Sequence, residues 1–141
     1  MINGTRESSR ARGDVSTRVR RLASLFLPPI IVMAAIFVLS SQTSDPTDRP
    51  LWELLLRKLG HVSEYFLLTL AWTRALGARW GAAALISVLY AATDELHQTY
   101  VAGRHGTPVD VLIDAIGISL AGLLYARRRR RTAGPSRPSA A

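Results

Sequence analysis

The sequence contains no cysteine, which excludes a disulfide framework and any thiolate metal site. It has no glycine-rich phosphate loop, no nucleophile elbow and no zinc motif. Acidic residues are scarce, ten against eighteen basic ones, and the net charge is +8. Such an excess can signal a nucleic-acid partner. Here aromatics make up only 7% of the chain and none interleave the basic runs, so no nucleic acid is expected. Internal repeats are also absent.

Apolar residues are abundant, 48% of the 141 positions. They are bunched in runs set apart by charged punctuation. A soluble domain spreads its apolar residues at amphipathic spacing, so the bunching argues for a membrane protein. Four spans are expected, at residues 22–39, 59–75, 80–93 and 109–126. A spanning helix needs about 17–25 residues, so the second and third must borrow polar flanks. Pro28-Pro29 should kink the first span or mark its start, because proline removes a backbone donor. A cleaved signal peptide is disfavoured: the first apolar run is long, and no small-residue cleavage site follows it.

The connections are legible as well. Residues 45–50 form a turn in which Asp48 is a plausible N-cap. Residues 52–59 read as an interfacial helix leading into the second span. Gly77 breaks the chain between spans two and three. Thr107-Pro108-Val109-Asp110 has the pattern of a helix start: a capping threonine, proline at the first position and a carboxylate three residues after the cap. Three divisions follow. Residues 1–21 are a basic, disordered arm. Residues 22–126 are the membrane domain. Residues 127–141 are a basic anchor on anionic lipid and a disordered tail.

Charge placement sets the orientation. With four spans both termini share a side, and that side holds 14 of the 18 basic residues. The positive-inside rule then makes the termini cytoplasmic in the plasma membrane. Eight of the ten acidic residues and all three histidines fall in the opposite half.

Three groups in that outward half carry the chemistry. On the second span, Lys58, His61, Glu64 and Tyr65 are three and four apart and share a helical face. Ionisable residues inside a membrane mark functional sites or internal ion pairs. On the third span, Ser87, Ala91, Asp94 and Gln98 form a packing stripe. There Asp94, Glu95 and His97 could hold a divalent cation or serve as general acid and base; the alternative is a solvated helix end. On the fourth span, Asp110 belongs to the helix start, and Asp114 lies one turn deeper. Gly117 and Ala121 continue its face, where glycine lets a neighbouring helix approach. Arg104 is the nearest basic residue to neutralise these acids, or to bind a phosphate.

Several segments, in order, resemble the VanZ-like family, which is named for a membrane protein associated with teicoplanin resistance. They are Ser40-Ser41-Gln42, then Lys58-Leu59-Gly60-His61-Val62-Ser63-Glu64-Tyr65, similar to a Lys-x-x-His-x-x-Glu-Tyr segment. Tyr90-Ala91-Ala92-Thr93-Asp94-Glu95-Leu96-His97-Gln98 is similar to an Asp-Glu-x-x-Gln signature. Gly103-Arg104, Asp110, Asp114 and Gly117 follow, so that the likeness runs over residues 36–126. It implies a cell-envelope protein with a link to glycopeptide resistance.

The reading as a whole is an all-α, four-helix transmembrane bundle. Its outward polar site takes a lipid headgroup, a lipid-linked wall precursor or a lipoglycopeptide. The binding residues are Lys58, His61, Glu64, Tyr65, Asp94, Glu95, His97, Gln98, Arg104, Asp110 and Asp114. The alternative is an intramembrane hydrolase or transferase on a lipid-linked substrate, metal-dependent or acid–base. Its catalytic candidates are His61, Glu64, Asp94, Glu95 and Asp114. No cofactor is evident beyond a divalent metal.

Overall fold

Apolar runs too dense for a soluble surface, broken by Gly77 and by two polar loops, leave little choice but a stack of helices. A computed structural model describes residues 3–43, 50–104 and 106–132. Among these the chain forms four helices and no strand: α1 (Asn3–Ser40), α2 (Leu51–Ala75), α3 (Trp80–Gln98) and α4 (Pro108–Thr132). They run alternately up and down. The end of α1, the first half of α2, the end of α3 and the start of α4 therefore meet at one end of the bundle. Ser40 bonds Asp94 there, whereas Arg74 donates to the Ser24 carbonyl at the other end. The stretch of α1 between these two contacts is about 24 Å long at the helical rise.

Two helices, the Asp14–Ser40 stretch of α1 and all of α4, are long and apolar enough to cross a membrane. Polarity is distributed inside out. Leu85 and Leu89 of α3, Leu112, Ile116 and Leu123 of α4, and Ile31 and Val38 of α1 are all exposed. The interior mixes Ile36, Tyr65, Leu68, Ala91 and Ile118 with Thr69, Ser87, Asp94, Glu95, Gln98 and Asp114. Water does not select that arrangement, because exposed leucine gains nothing there and buried carboxylates are costly. In a hydrocarbon surround, close packing and internal hydrogen bonds do the selecting. Thr69 Oγ1 donates to the Tyr65 carbonyl at 2.8 Å and lies 3.0 Å from the Ser87 hydroxyl, on the stripe expected to pack.

Three expectations need correction. Residues 3–21, expected as a disordered arm, are the first part of α1. Once the apolar run has nucleated a helix, extending it backwards costs little, and the Asp14–Arg18 pair (3.0 Å) supports the exposed turns. The helix also runs through Pro28 and Pro29 and does not start there; the Pro29 ring is buried. Residues 52–59 are not a separate interfacial helix. They are continuous with the second span in α2, whose N-cap is Pro50 and not Asp48. Asp48, the rest of residues 44–49, His105 and the tail 133–141 lie outside the described residues.

Other local signals hold. The break falls at Gly77 (φ +62°) and continues into Ala78 (φ +69°), whose carbonyl accepts a 2.6 Å bond from the Tyr125 hydroxyl. α4 starts at Pro108. The Asp110 amide donates to Thr107 Oγ1 (3.3 Å), and the Thr107 hydroxyl donates to Asp110 Oδ2 (2.8 Å). Gly117 lets α4 approach α2, since a Cβ there would meet the Val62 carbonyl oxygen and lie 3.0 Å from the Phe66 nitrogen.

Backbone atoms cannot move aside as a flexible side chain can. Gly117→Ala is therefore expected to destabilise the protein by about 1–3 kcal/mol. Gly60→Ala, with nothing within 4 Å of the added carbon, should stabilise it by about 0.5–1 kcal/mol. Thermal melting in detergent reads both changes. A Gly117→Ala protein that melts at or above the wild-type temperature would disprove the close α2–α4 approach.

Candidate functional site

The polar end is assembled from single turns of all four helices. On α2 the shared face of Lys58, His61 and Tyr65 turns towards α4 and the interior. Lys58 Nζ donates to Asp110 Oδ1 at 2.9 Å, and His61 Nδ1 lies 3.1 Å from Asp114 Oδ1. The four-residue step from Asp110 to Asp114 matches the three-residue step from Lys58 to His61. Two helices side by side thus make two rungs. The outer rung is half-exposed. In the inner one Asp114 is fully buried and His61 is partly buried.

From α3, Asp94 and Glu95 enter the same space. Asp94 Oδ2 accepts from the Ser40 hydroxyl (2.9 Å) and from Gln98 Nε2 (3.0 Å). Glu95 Oε2 accepts from the Thr107 amide at 2.9 Å, and its Oε1 accepts from Gln98 Nε2 at 3.3 Å. That closes the α3–α4 loop under Glu95, where Gly106 leaves room against the Glu95 carbonyl. One ring nitrogen of His61 and one carboxylate oxygen each of Asp94 and Glu95 lie within 4.8 Å of one another. Asp94, Glu95 and Asp114 are 4%, 5% and 0% exposed. Buried polar atoms normally find a partner. Here Asp94 Oδ1, Asp114 Oδ2 and the Tyr65 hydroxyl have none among the described residues.

Beside this cluster a cleft of about 360 Å³ opens between the end of α1 and α2, walled by Ser40, Gln42, Arg57, His61, Glu64 and Arg104. Glu64 reaches this wall and not the interior, and makes no hydrogen bond among the described residues. Arg57 is held by Glu53 one turn earlier, at 3.0 Å.

Two expected site residues make contacts other than those expected. Arg104 does not neutralise the α4 acids. Its guanidinium donates to the Leu39 (2.8 Å) and Gln42 (2.9 Å) carbonyls and to Gln98 Oε1 (3.3 Å), so it satisfies the carbonyls that end α1. Lys58 and His61 take the acids instead, because they project from the helix packed directly on α4. His97 faces α1, with Nε2 3.0 Å from the Ser41 hydroxyl and its ring stacked on Phe37 at 4.6 Å. Sequence reasoning passed over Ser40, Arg57 and Thr107 as site residues. The Glu53–Arg57 spacing was a signal for one of them. Ser40 and Thr107 act through contacts across the chain, 54 and 12 residues apart, that no local pattern announces.

The inner rung gives a stability test. His61→Phe leaves Asp114 buried without its partner and should cost about 3–5 kcal/mol. Asp114→Asn keeps an acceptor for Nδ1 and should cost less. Melting the two variants in detergent gives the order, and a reversed order would show that the pair does not hold α2 to α4.

A family model described as VanZ/LLP1 matches residues 8–129. The chain is also similar to a curated relative, "Uncharacterized membrane protein YwnJ" of Bacillus subtilis (strain 168), with 38% identity over 88 residues. That stretch takes in 62% of this chain and 61% of the relative, so the chain matches less than two thirds of the relative's length. No solved structure matches. The helices and residue clusters described above lie within the matched stretch, apart from the start of α1 and the last turn of α4, and the chain, a membrane protein, belongs to the VanZ/LLP1 family.

Proposed function

We propose that the protein crosses the cell membrane four times, with both termini in the cytoplasm, and that its outward polar end binds a phosphate-bearing headgroup. The headgroup is of the kind that a lipid-linked wall precursor carries. At 25 and 19 residues, α2 and α3 are long enough for the purpose, about 37 and 28 Å at the helical rise. Arg74, Arg79 and the five arginines at 127–131 gather at one end of the bundle, and the buried acids at the other. Exposed Trp52 and Tyr100 at the polar end, with Trp80 and Tyr125 at the basic end, have the placing of interfacial aromatic belts.

The observation that carries the ligand reading is the cleft. It puts Arg57, Arg104 and His61 on one wall system, and guanidinium forks suit phosphate oxygens. Its lining combines polar side chains with the apolar Leu39 and Leu56, a mixture that suits a headgroup with attached chains. On this reading the family's link with teicoplanin resistance comes from holding a wall precursor, or the lipoglycopeptide itself, at the outer face. A second reading rests on the His61–Asp114 pair. A histidine whose Nδ1–H is held by a buried carboxylate presents Nε2 as a general base, the arrangement of an acid–base hydrolase or transferase.

Orientation is directly testable, because the chain has no cysteine of its own. Ser41→Cys and Thr99→Cys should react with an impermeant maleimide on intact cells. Thr132→Cys should react only after permeabilisation. The opposite pattern would invert the topology.

Ligand binding is tested with protein in nanodiscs and a water-soluble, lipid-linked wall-precursor analogue. Arg57→Gln should weaken binding about 10–100-fold, the loss of one charge-assisted hydrogen bond worth about 1.5–3 kcal/mol, while Arg79→Gln at the other end has no effect. Equal affinities for all three would sink the cleft reading, and turnover of the analogue that His61→Gln abolishes would favour the enzyme. In a teicoplanin-sensitive host, wild type should protect and Arg57→Gln should not at matched membrane levels. Equal protection would separate resistance from the cleft.

A further inference from the structure

We propose that His61, Asp94 and Glu95 bind one divalent cation, with Asp114 as the carboxylate that orients the His61 ring. Four observations carry this. The three ligand atoms, from two different helices, converge within 4.8 Å. Asp94 is 4% exposed, and its Oδ1 has no partner among the described residues although Oδ2 accepts two hydrogen bonds. A buried carboxylate oxygen that is left over in an otherwise well-bonded site is what a cation would take up.

The third observation is charge. Asp94, Glu95 and Asp114 put three carboxylates in the bundle interior. Lys58 pairs with Asp110, and Arg104 donates to Gln98 Oε1 beside the cluster. Asp94 and Glu95 accept hydrogen bonds from the neutral Ser40, Gln98 and Thr107 groups, and His61 contacts Asp114, so the cluster is over-supplied with negative charge. Uncompensated buried charges of one sign are not tolerated; they are neutralised by protons or by a cation.

The fourth is the Asp114–His61 contact itself. Metal-ligating histidines commonly donate their other ring N–H to a carboxylate, which fixes tautomer and ring orientation. With Nδ1 engaged by Asp114 (3.1 Å), Nε2 is the nitrogen left for the cation. One imidazole and two carboxylates suit Zn2+ or Mn2+ better than Ca2+, which prefers six to eight oxygens. Three protein ligands leave a coordination position open, and His61 borders the cleft. In the part that rests on the proposed function, a headgroup phosphate in the cleft would fill that position.

The test uses the full chain in detergent and no lipid, so it stands or falls apart from the headgroup reading. Purified, chelator-stripped protein is titrated with Zn2+, Mn2+, Mg2+ and Ca2+. One equivalent of Zn2+ or Mn2+ per chain is expected. Asp94→Asn, Glu95→Gln and His61→Gln should each weaken it at least tenfold, Asp114→Asn about tenfold, and Asp14→Asn on α1 not at all. Circular dichroism and gel filtration monitor the fold of each variant. Pulsed EPR of the wild type loaded with Mn2+ needs no variant and should show a 14N coupling from the His61 ring. Absence of stoichiometric binding, binding that survives all three ligand substitutions in folded protein, or Mn2+ without a nitrogen coupling would each overturn the proposal. The buried carboxylates would then be neutralised by protons.

Discussion

The contact between His61 Nδ1 and the fully buried Asp114 Oδ1, at 3.1 Å, joins the two helices of this bundle that pack most extensively. A carboxylate at that depth needs a partner, and the partner must come from the facing helix. Three residues below Asp114, Gly117 removes the side chain that would otherwise hold α4 away from the α2 backbone at Val62. Close approach and charge pairing therefore depend on each other. The outer rung between Lys58 and Asp110 follows from the same registration of the two helices, and so does the height at which the Thr107 cap meets Glu95.

Around that pair the bundle divides its labour between its ends. The basic end is built of backbone carbonyls capped by long side chains, Arg74 on Ser24 and Tyr125 on Ala78. It needs no buried charge. The polar end concentrates carboxylates and gives each a different environment. Asp110 is half-exposed and paired, Asp114 is buried and paired, Asp94 and Glu95 are buried and bridged by Gln98, and Glu64 is turned out to the cleft. Chemistry that needs acids of unequal character finds it there, within two turns of helix. Arg104 acts as the clasp of this end, since it ties the α3–α4 loop to the last carbonyls of α1 and so closes one wall of the cleft.

Much of this architecture is legible in the sequence. The apolar runs, the Gly77 break and the Thr107–Asp110 helix start are local signals, and each describes a feature that forms within a few residues. The alternation of helix direction then put the chemistry-bearing residues at one end by counting alone. The arm at residues 3–21 was misjudged because composition reports on what a segment can bury. It does not report on whether a neighbouring helix will propagate through it. The lead-in at residues 52–59 was separated from α2 for a similar reason: a change in polarity along a helix is not a break in its hydrogen bonds.

By itself the sequence determined the helical class, the membrane character and the set of residues from which any site must be drawn. Periodicity and hydropathy are properties of one segment at a time. Which acid meets which base was decided only in the tertiary structure. Along the sequence Arg104 is the basic residue nearest to Asp110 and Asp114. The packing of α2 directly on α4 gave the acids to Lys58 and His61, and the position of the α3–α4 loop above α1 gave Arg104 to the carbonyls. Partner choice among charges falls off steeply with distance and burial, and both are set by the rotation and height of whole helices, which no short stretch of sequence encodes.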